Sequence, residues 1–191
     1  PLETFVKACN DYPRMMIYLC HTPVTGTWLG STPEILLSGC AQNWKTVALA
    51  GTLPIVDGVE PTEWNDKNKE EQAIVAEYIR KIIKKHGTKM IEKGPYTARA
   101  GQLVHLKTDF LFQQKDTKSL GNLLNELHPT PAICGLPKTE AYQFILEHEG
   151  YDRRYYSGFV GWMDPDGQTD IYVNLRCMEI RTTEVKLYAG G

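Results

Sequence analysis

The stretch Leu29–Gly39, LGSTPEILLSG, contains a single charged residue, Glu34. Pro33 has a fixed φ and no backbone N–H, and it holds the preceding Thr32 in an extended conformation. The stretch therefore predicts two short strands that meet at a Thr-Pro-Glu corner, with Glu34 at the start of the second strand. A carboxylate at this position either points to water or has a specific function, and the corner alone leaves both alternatives open.

The segments on either side of this corner predict a chain rich in strands. Strands are predicted over residues 14–21, 27–30, 35–38, 44–49, 104–112, 155–162, 171–180 and 185–188. Helices are predicted from about 65 to 86, across 120–127 and over 139–148, where apolar residues recur at helical spacing. Strands and helices do not alternate regularly, so the sequence predicts an α+β fold of mostly antiparallel sheets packed with helices, with residues 1–191 as one domain.

Composition argues against several classes of function. The net charge of −2 does not favour a surface for nucleic acid or anionic membrane, and no apolar run approaches the roughly 20 residues of a membrane span. The five cysteines form no C-x-x-C pair, which argues against a disulfide framework or a zinc site. We expect reduced, buried thiols in a cytoplasmic protein, with no catalytic role for Cys134 or Cys177.

A second carboxylate, Glu71, lies in the longest predicted helix. At 100° per residue it falls near the centre of an apolar stripe that includes Ile74, Val75, Tyr78 and Ile82. A first-turn acid can reach solvent and is favoured there by the helix dipole. Alternatively, the carboxylate points into a polar cavity, where it could be an oxygen ligand for Mg²⁺.

An arginine raises the same question in the strand predicted over 171–180. Alternation places Tyr172, Asn174 and Arg176 on one face of that strand. Arg176 is then either a solvent-facing residue of a half-exposed strand or a guanidinium that binds a carboxylate through two parallel hydrogen bonds.

Eight segments, in this order, resemble the family of chorismate-utilising enzymes and, within it, the isochorismate synthases. They are WLGSTPEILL (28–37), ALAGTLP (48–54), NDKNKEEQAIV (65–75), VHLKT (104–108), HPTPAICGLPK (128–138), YYSGFVGW (155–162), NLRCMEI (174–180) and LYAGG (187–191). Each segment is only modestly specific, but the shared order makes coincidence very improbable. The resemblance covers nearly the whole chain.

The resemblance implies that Mg²⁺ is the cofactor and chorismate the small-molecule substrate. Isochorismate synthases add water at C2 of the ring and expel the 4-hydroxyl, a step that needs a general acid. By resemblance Glu34 is that acid and Glu71 is a ligand of Mg²⁺. Many members have histidine directly after this glutamate, whereas this chain has Gln72. Any role that the histidine has in those members is therefore not supplied by the same residue here.

The same resemblance assigns residues that bind the substrate. Arg176 and Tyr156 match residues that bind a substrate carboxylate, and backbone amides around Gly190 match another part of that carboxylate site. The ring pocket has a wall at the segment that contains Thr130 and Ala132. The side from which the nucleophile attacks is formed by Ala50, Gly51 and Thr52.

The resemblance also implies what the 191 residues lack. They are expected to be truncated at both ends, without an upstream segment that carries the base lysine and without a C-terminal metal-binding helix. The fragment alone is therefore expected to be inactive. The full protein is predicted to be a cytoplasmic, monomeric enzyme of menaquinone or siderophore biosynthesis.

Two alternatives remain open at this point. Aminodeoxychorismate synthases carry a lysine where this chain has Ala50, which argues against their reaction. Anthranilate synthases also carry alanine, so an ammonia-dependent anthranilate synthase component is one alternative. The other is a non-catalytic fragment that binds chorismate.

Overall fold

The computed structural model describes residues 1–116, 119–164 and 166–189. These residues contain five helices: α1 (Leu2–Asp11), α2 (Asp66–His86), α3 (Leu120–Leu127), α4 (Pro131–Cys134) and α5 (Lys138–His148). They also contain ten strands: β1 (Met16–Thr22), β2 (Gly26–Thr32), β3 (Ile35–Cys40), β4 (Asn43–Pro54), β5 (Gly87–Ala100), β6 (Leu103–Gln114), β7 (Phe159–Trp162), β8 (Thr169–Val173), β9 (Cys177–Ile180) and β10 (Val185–Tyr188). The predicted α+β class, with antiparallel sheets, is confirmed.

The chain divides into two compact units. Unit 1 comprises Pro1–Glu34, Arg153–Val160 and Tyr172–Gly191, and unit 2 comprises Ile35–Asp152 and Gly161–Ile171. Both units are built from segments that are distant in sequence, so neither is a simple run of the chain.

Unit 1 contains the four-stranded sheet, in the order β1-β2-β9-β10. All neighbouring pairs are antiparallel, and β2 lies opposite β9 with Gly30 facing Cys177. Trp28, Cys177 and Tyr188 form a buried cluster against which Tyr18 and Tyr156 pack. Burial of these large aromatic rings contributes apolar stabilisation to this unit.

Unit 2 is organised by the long helix α2, which packs on strands β4, β5 and β6 of a six-stranded sheet with the order β5-β6-β4-β3-β8-β7. Its buried side chains come from the sheet, from α2 and from α3. They include Leu36, Leu37, Val47, Ala48, Val75, Ile79, Ile83, Val104, Leu106, Phe110, Leu123 and Leu127. The buried face of α3 matches its predicted apolar stripe, whereas the buried face of α2 matches its predicted stripe only in part, because Ile74 is exposed.

The start and end of α2 have clear local causes. Asn65 is the N-cap, and its side-chain oxygen accepts a hydrogen bond of 2.8 Å from the backbone N–H of Asn68. Three basic residues, Lys84, Lys85 and His86, occupy the last turn, where the helix dipole favours positive charge. The predicted limits of this helix are confirmed. Gly87 follows the helix in an extended conformation, with φ of −123°, and begins β5.

Replacement of Asn65 by alanine is expected to lower the free energy of unfolding by about 1 kcal/mol, because the Asn68 N–H loses its acceptor at the helix start. Asn122→Ala is the matched control, since Asn122 is an exposed residue inside α3, where alanine is a better helix former. Urea unfolding of both variants measures the difference. Equal stabilities of the two variants would contradict the capping role.

Three elements were not predicted from the sequence: helices α1 and α4 and strand β5. The strand predicted over 171–180 is in fact two strands, β8 and β9. These two strands belong to different sheets. The backbone leaves the six-stranded sheet after Val173 and enters the four-stranded sheet at Cys177. The single-strand interpretation of 171–180 was therefore wrong.

The cysteines and the helices bear on two further expectations, buried thiols and the absence of a membrane span. None of the five cysteines forms a disulfide; Cys134 and Cys177 are buried as expected, but Cys20 and Cys40 are exposed. Within the described residues, no helix combines the length and the apolar character that crossing a membrane requires.

Candidate active site

The Thr-Pro-Glu corner has the predicted form, because β2 ends at Thr32 and β3 begins at Ile35. The hydroxyl of Thr32 donates a hydrogen bond of 2.6 Å to the backbone oxygen of Val173. The N–H of Val173 in turn donates to the backbone oxygen of Glu34 at 2.9 Å. The corner is thus fixed by two hydrogen bonds to Val173, the last residue of β8, and Glu34 has a defined position.

The carboxyl group of Glu34 lies in an environment that favours its protonated form. Desolvation by the surrounding protein raises the pKa of Glu34 to about 7, although the positive charge of Arg176 acts in the opposite direction. A carboxyl group with this pKa is present in both protonation states near neutral pH. Such a group can deliver a proton and then be reprotonated from solvent.

Arg176 contributes this positive charge from the break between β8 and β9. The backbone oxygen of Arg176 accepts a hydrogen bond of 2.9 Å from the N–H of Ser31, so its main chain is tied to β2. The side chain is partly exposed. The charge of Arg176 therefore acts on Glu34, and the predicted strand alternation around Arg176 was wrong.

Tyr156 lies in the same unit, in the loop that precedes β7. Its ring stacks on that of Tyr188, with 5.6 Å between centroids, and the guanidinium of Arg153 lies 5.5 Å from the ring centre. These contacts fix the plane of the ring. Gly190, whose amide was expected to help bind a carboxylate, lies outside the described residues.

In unit 2, Ala50, Gly51 and Thr52 form a β-bulge in β4. Ala50 is opposite Leu106 and Thr52 is opposite His105, so Gly51 is the extra residue. Gly51 has φ of +73°, and a Cβ at this position would lie 3.1 Å from the backbone oxygen of Asn68. Only glycine satisfies both conditions without strain, and the bulge therefore lies directly against the first turn of α2.

Glu71 is not in the buried stripe of α2, as the sequence analysis had indicated. The buried face of the helix consists of Asn68, Gln72, Val75, Ala76, Ile79, Ile82 and Ile83, and Glu71 is exposed. The side-chain amide of Gln72 donates to the backbone oxygen of Ala48 at 3.2 Å and to the hydroxyl of Thr108 at 3.0 Å. These hydrogen bonds allow the polar side chain of Gln72 to face the core. The buried face of α2 therefore includes Gln72 instead of its neighbour Glu71.

Thr130 and Ala132 belong to the short helix α4 and its N-cap, and the two residues differ in exposure. Thr130 is the N-cap residue of α4 and is buried, whereas Ala132 is exposed. The Thr130 hydroxyl has no hydrogen-bond partner among the residues that the structure describes. The preceding segment is held by Lys138, whose ammonium group donates to the backbone oxygen of His128 at 2.8 Å. A buried hydroxyl without a protein partner is available to a bound ligand.

The residues present are compatible with Mg²⁺ but do not form a closed metal site. Among the described residues, no group of three or more histidine, cysteine, aspartate and glutamate side chains is placed to hold a metal ion. Glu71 offers an exposed carboxylate, the hard oxygen ligand that Mg²⁺ prefers. Because Mg²⁺ commonly binds through one or two carboxylates together with waters and substrate oxygens, one protein carboxylate fits this mode of binding.

A described concavity lies away from these residues. It is a groove of about 640 Å³ in unit 2, lined among others by Ser38, Trp44, Lys45, Ile91 and Gln168. None of the residues that the sequence analysis selected lines it.

One residue beside the site, Asn174, was not predicted from the sequence. Asn174 was assigned to a half-exposed strand face, but it is 2% exposed and makes hydrogen bonds through its side chain and its main chain. No sequence signal marked it, because its partners, Tyr18 and Tyr155, are distant in the chain or lie on another element.

A carboxyl group that titrates near neutral pH beside a guanidinium is typical of an enzyme site for a small carboxylate. The comparison with known families gives a more specific assignment. The chain belongs to the family described as chorismate binding enzyme, whose model matches residues 1–191.

Three relatives illustrate the match. Isochorismate synthase EntC of Escherichia coli is 29% identical over 184 residues, which cover 91% of this chain and 47% of EntC. A second match is the crystal structure of DhbC from Bacillus anthracis, described as a 2,3-dihydroxybenzoate-specific isochorismate synthase. The match includes 96% of this chain and 51% of the DhbC chain, with a TM-score of 0.82 and 25% sequence identity. The third is the structure of MenF, the menaquinone-specific isochorismate synthase of Escherichia coli. That match includes 86% of this chain and 40% of the MenF chain, with a TM-score of 0.79 and 30% sequence identity. The chain spans about half the length of these relatives.

Proposed function

We propose that the protein containing this chain is an isochorismate synthase, which converts chorismate to isochorismate by adding water at C2 and releasing the 4-hydroxyl. One observation carries the proposal: the carboxyl group of Glu34 has a pKa of about 7 and is adjacent to Arg176. The likeness to EntC, DhbC and MenF supports the same reaction, since all three are named isochorismate synthases.

Glu34 is proposed to be the general acid. A departing hydroxide is a poor leaving group, so the 4-hydroxyl must receive a proton as its bond to carbon breaks. The raised pKa of Glu34 keeps a large fraction of the group protonated near neutral pH. The proton moves from the Glu34 carboxyl to the departing oxygen, which leaves as water. The water that adds at C2 gives up one proton to a base, and the Glu34 carboxylate recovers a proton from solvent, so the protons balance.

Arg176 and Tyr156 are proposed to bind a carboxylate of chorismate. The guanidinium supplies two parallel N–H donors, which match the two oxygens of a carboxylate, and a phenol supplies one O–H donor. The aromatic stacking of Tyr156 on Tyr188 fixes the direction from which its hydroxyl can donate. The resemblance adds the backbone amides around Gly190 to this group.

Glu71 is proposed to be a ligand of Mg²⁺, with substrate oxygens and water as further ligands. When bound, Mg²⁺ neutralises a carboxylate of the substrate and withdraws electron density from the ring. The contribution of this chain is to hold Glu71 in place. Gln72 links α2 to Ala48 and Thr108, and the Gly51 bulge packs against Asn68 in the same part of the helix.

Thr130 and Ala132 are proposed to contact the ring, with Ala50, Gly51 and Thr52 on the side of the attacking water. The support for Thr130 is its buried hydroxyl, which has no partner among the described residues. The protein is proposed to act in the cytoplasm, as a monomer, in menaquinone or siderophore biosynthesis. The names of MenF and of the 2,3-dihydroxybenzoate-specific DhbC favour these two pathways equally.

The test uses the full natural protein with chorismate and Mg²⁺. Isochorismate formation, followed by a lyase-coupled assay, is expected with Mg²⁺ and is expected to be lost when EDTA removes the metal. Ammonium is added in a parallel reaction that is monitored by anthranilate fluorescence. Anthranilate without isochorismate would support an anthranilate synthase instead, and chorismate binding without any product would support a non-catalytic protein.

A further inference from the structure

Asn174 uses every polar group it has to hold one loop and one tyrosine. Its side-chain nitrogen donates to the backbone oxygen of Tyr155 at 2.8 Å, and its side-chain oxygen accepts from the hydroxyl of Tyr18 at 2.9 Å. Its main-chain N–H donates to the oxygen of Gly158 at 2.9 Å, and its main-chain oxygen accepts from the N–H of Ser157 at 2.8 Å. Asn174 is therefore bound to both ends of the segment 155–158, which contains Tyr156.

The residues on either side of Asn174 hold the other two members of the site. Val173 bonds to the backbone of Glu34 and to the hydroxyl of Thr32, and Arg176 accepts from the N–H of Ser31. The connection 173–176 thus lies between the Thr-Pro-Glu corner on one side and the Tyr156 loop on the other. Displacement of Asn174 would be transmitted to both.

The Tyr156 loop needs such an anchor because its backbone is strained. Ser157 has φ of +60° and Arg154 has φ of +50°, a region that residues with a side chain seldom adopt. Conformations of this kind persist only where surrounding contacts hold them. For Ser157 the hydrogen bond to the backbone of Asn174 is such a contact.

The tyrosine that orients Asn174 is itself accommodated by a glycine. Tyr18 is paired with Gly30 across β1 and β2, and any Cβ at Gly30 would overlap the Tyr18 ring. The ring can therefore lie flat over Gly30, and its hydroxyl reaches the amide of Asn174. The side-chain hydrogen bond fixes which end of the amide faces Tyr155.

We propose that Asn174, oriented by the hydroxyl of Tyr18, is a positioning residue that keeps Glu34, Arg176 and Tyr156 in the relative positions that the reaction requires. This inference rests on the proposed function. Asn174 does not act on the substrate; it acts through the three residues whose backbone segments it joins. Loss of its amide donor leaves the Tyr155 carbonyl without that partner and releases the strained loop.

The test compares Tyr18→Phe and Asn174→Asp with the matched control Tyr12→Phe in the full natural protein. Tyr12 is an exposed tyrosine at the end of α1, so its variant removes a hydroxyl in the same unit without touching Asn174. For Tyr18→Phe we expect KM for chorismate to rise about 3- to 10-fold, and for Asn174→Asp about 10- to 100-fold, with smaller changes in kcat. The control is expected to behave as the wild type.

Two further measurements separate positioning from a loss of stability. Amide hydrogen exchange of the peptide that contains residues 153–158 is expected to be about 5-fold or more faster in Tyr18→Phe, while exchange in α2 is unchanged. The high-pH limb of the kcat/KM profile is expected to move, because the distance between Arg176 and Glu34 affects the pKa of Glu34. A general loss of stability would accelerate exchange throughout the protein and leave this limb in place.

Each outcome decides the proposal. Wild-type KM, pH profile and loop exchange in Tyr18→Phe and Asn174→Asp would overturn it, as would a global acceleration of exchange with an unmoved pH limb. If the wild type makes no isochorismate, the proposed function fails separately, and chorismate affinity measured by calorimetry decides: Tyr18→Phe must weaken it and Tyr12→Phe must not. If the wild type does not bind chorismate, both proposals fail.

Discussion

Replacement of Glu34 by glutamine in the full natural protein is expected to lower kcat for isochorismate formation about 10²- to 10⁴-fold, the usual contribution of a general acid. Glutamine has nearly the same shape and can still donate a hydrogen bond, but it cannot transfer a proton to the departing hydroxyl. KM is expected to change by less than about threefold, since the substrate is held by other groups. A lyase-coupled assay at saturating chorismate measures the effect.

The matched control is Glu3→Gln, which makes the same chemical change at an exposed residue in the first turn of α1. Wild-type activity is expected for that variant. Activity of Glu34→Gln within about threefold of the wild type would exclude Glu34 as the acid, because general acids contribute far more. The wild-type kcat itself should fall as the pH rises through about 7, where Glu34 loses its proton.

The same substitution has an opposite expected effect on stability. The pKa of Glu34 is raised from 4.5 to about 7 in the folded protein, so the folded state holds its proton more tightly than the unfolded state does. Stability from this group is present at low pH and is lost as the pH rises from about 4.5 to about 7. At about pH 8 Glu34→Gln is therefore expected to be more stable than the wild type by about 1–2 kcal/mol, a value reduced for the partial exposure of Glu34.

This gain gives the activity experiment an internal check. Urea unfolding of wild type and Glu34→Gln at about pH 4 and about pH 8 should show the advantage of the variant only at the higher pH. A variant that loses activity but becomes more stable cannot owe its inactivity to misfolding. An equal difference in stability at both pH values would contradict the raised pKa.

Replacement of Arg176 by glutamine is the second change with a large expected effect. Hydrogen bonds to charged groups contribute about 1.5–3 kcal/mol, so loss of the guanidinium is expected to raise KM for chorismate about 10- to 100-fold. The positive charge of Arg176 lowers the pKa of Glu34, and its removal should raise that pKa further. The high-pH limb of the kcat profile is therefore expected to shift to higher pH.

Arg176→Lys separates the two effects. Lysine restores the positive charge, so the pH limb is expected to return towards that of the wild type. It does not restore the planar pair of donors, so KM should remain raised. An Arg176→Gln variant with wild-type KM would exclude carboxylate binding by Arg176, and an unmoved pH limb would exclude its influence on Glu34.

Local signals in the sequence were sufficient for several parts of the fold. The spacing of apolar residues predicted α2 within a residue of its ends, and in the structure Asn65 caps its start and three basic residues occupy its last turn. Pro33 predicted the corner between β2 and β3, because proline acts on the backbone of its immediate neighbours. These features depend on residues only a few positions apart.

Other parts depend on contacts that sequence does not display. Strand β5 contains Pro95 and many exposed residues, and its ladder with β6, on one side only, gives it its extended form. Gln72 faces the core through two buried hydrogen bonds, which the spacing of apolar residues did not indicate, and the predicted stripe of α2 was therefore centred near Glu71. The pairing of Glu34 with Arg176 came from the family resemblance, since 142 positions separate them (176 minus 34).

Gln72 has a consequence for experiments with this protein. Many members of the family have an imidazole at this position, a group that gains charge between about pH 5 and pH 8. An amide has no proton to gain or lose in that range, so the link from α2 to Ala48 and Thr108 is the same in mildly acidic and mildly alkaline buffer. A pH titration of this protein therefore has one titrating group fewer beside Glu71, and the transition near pH 7 can be assigned to Glu34 with less ambiguity.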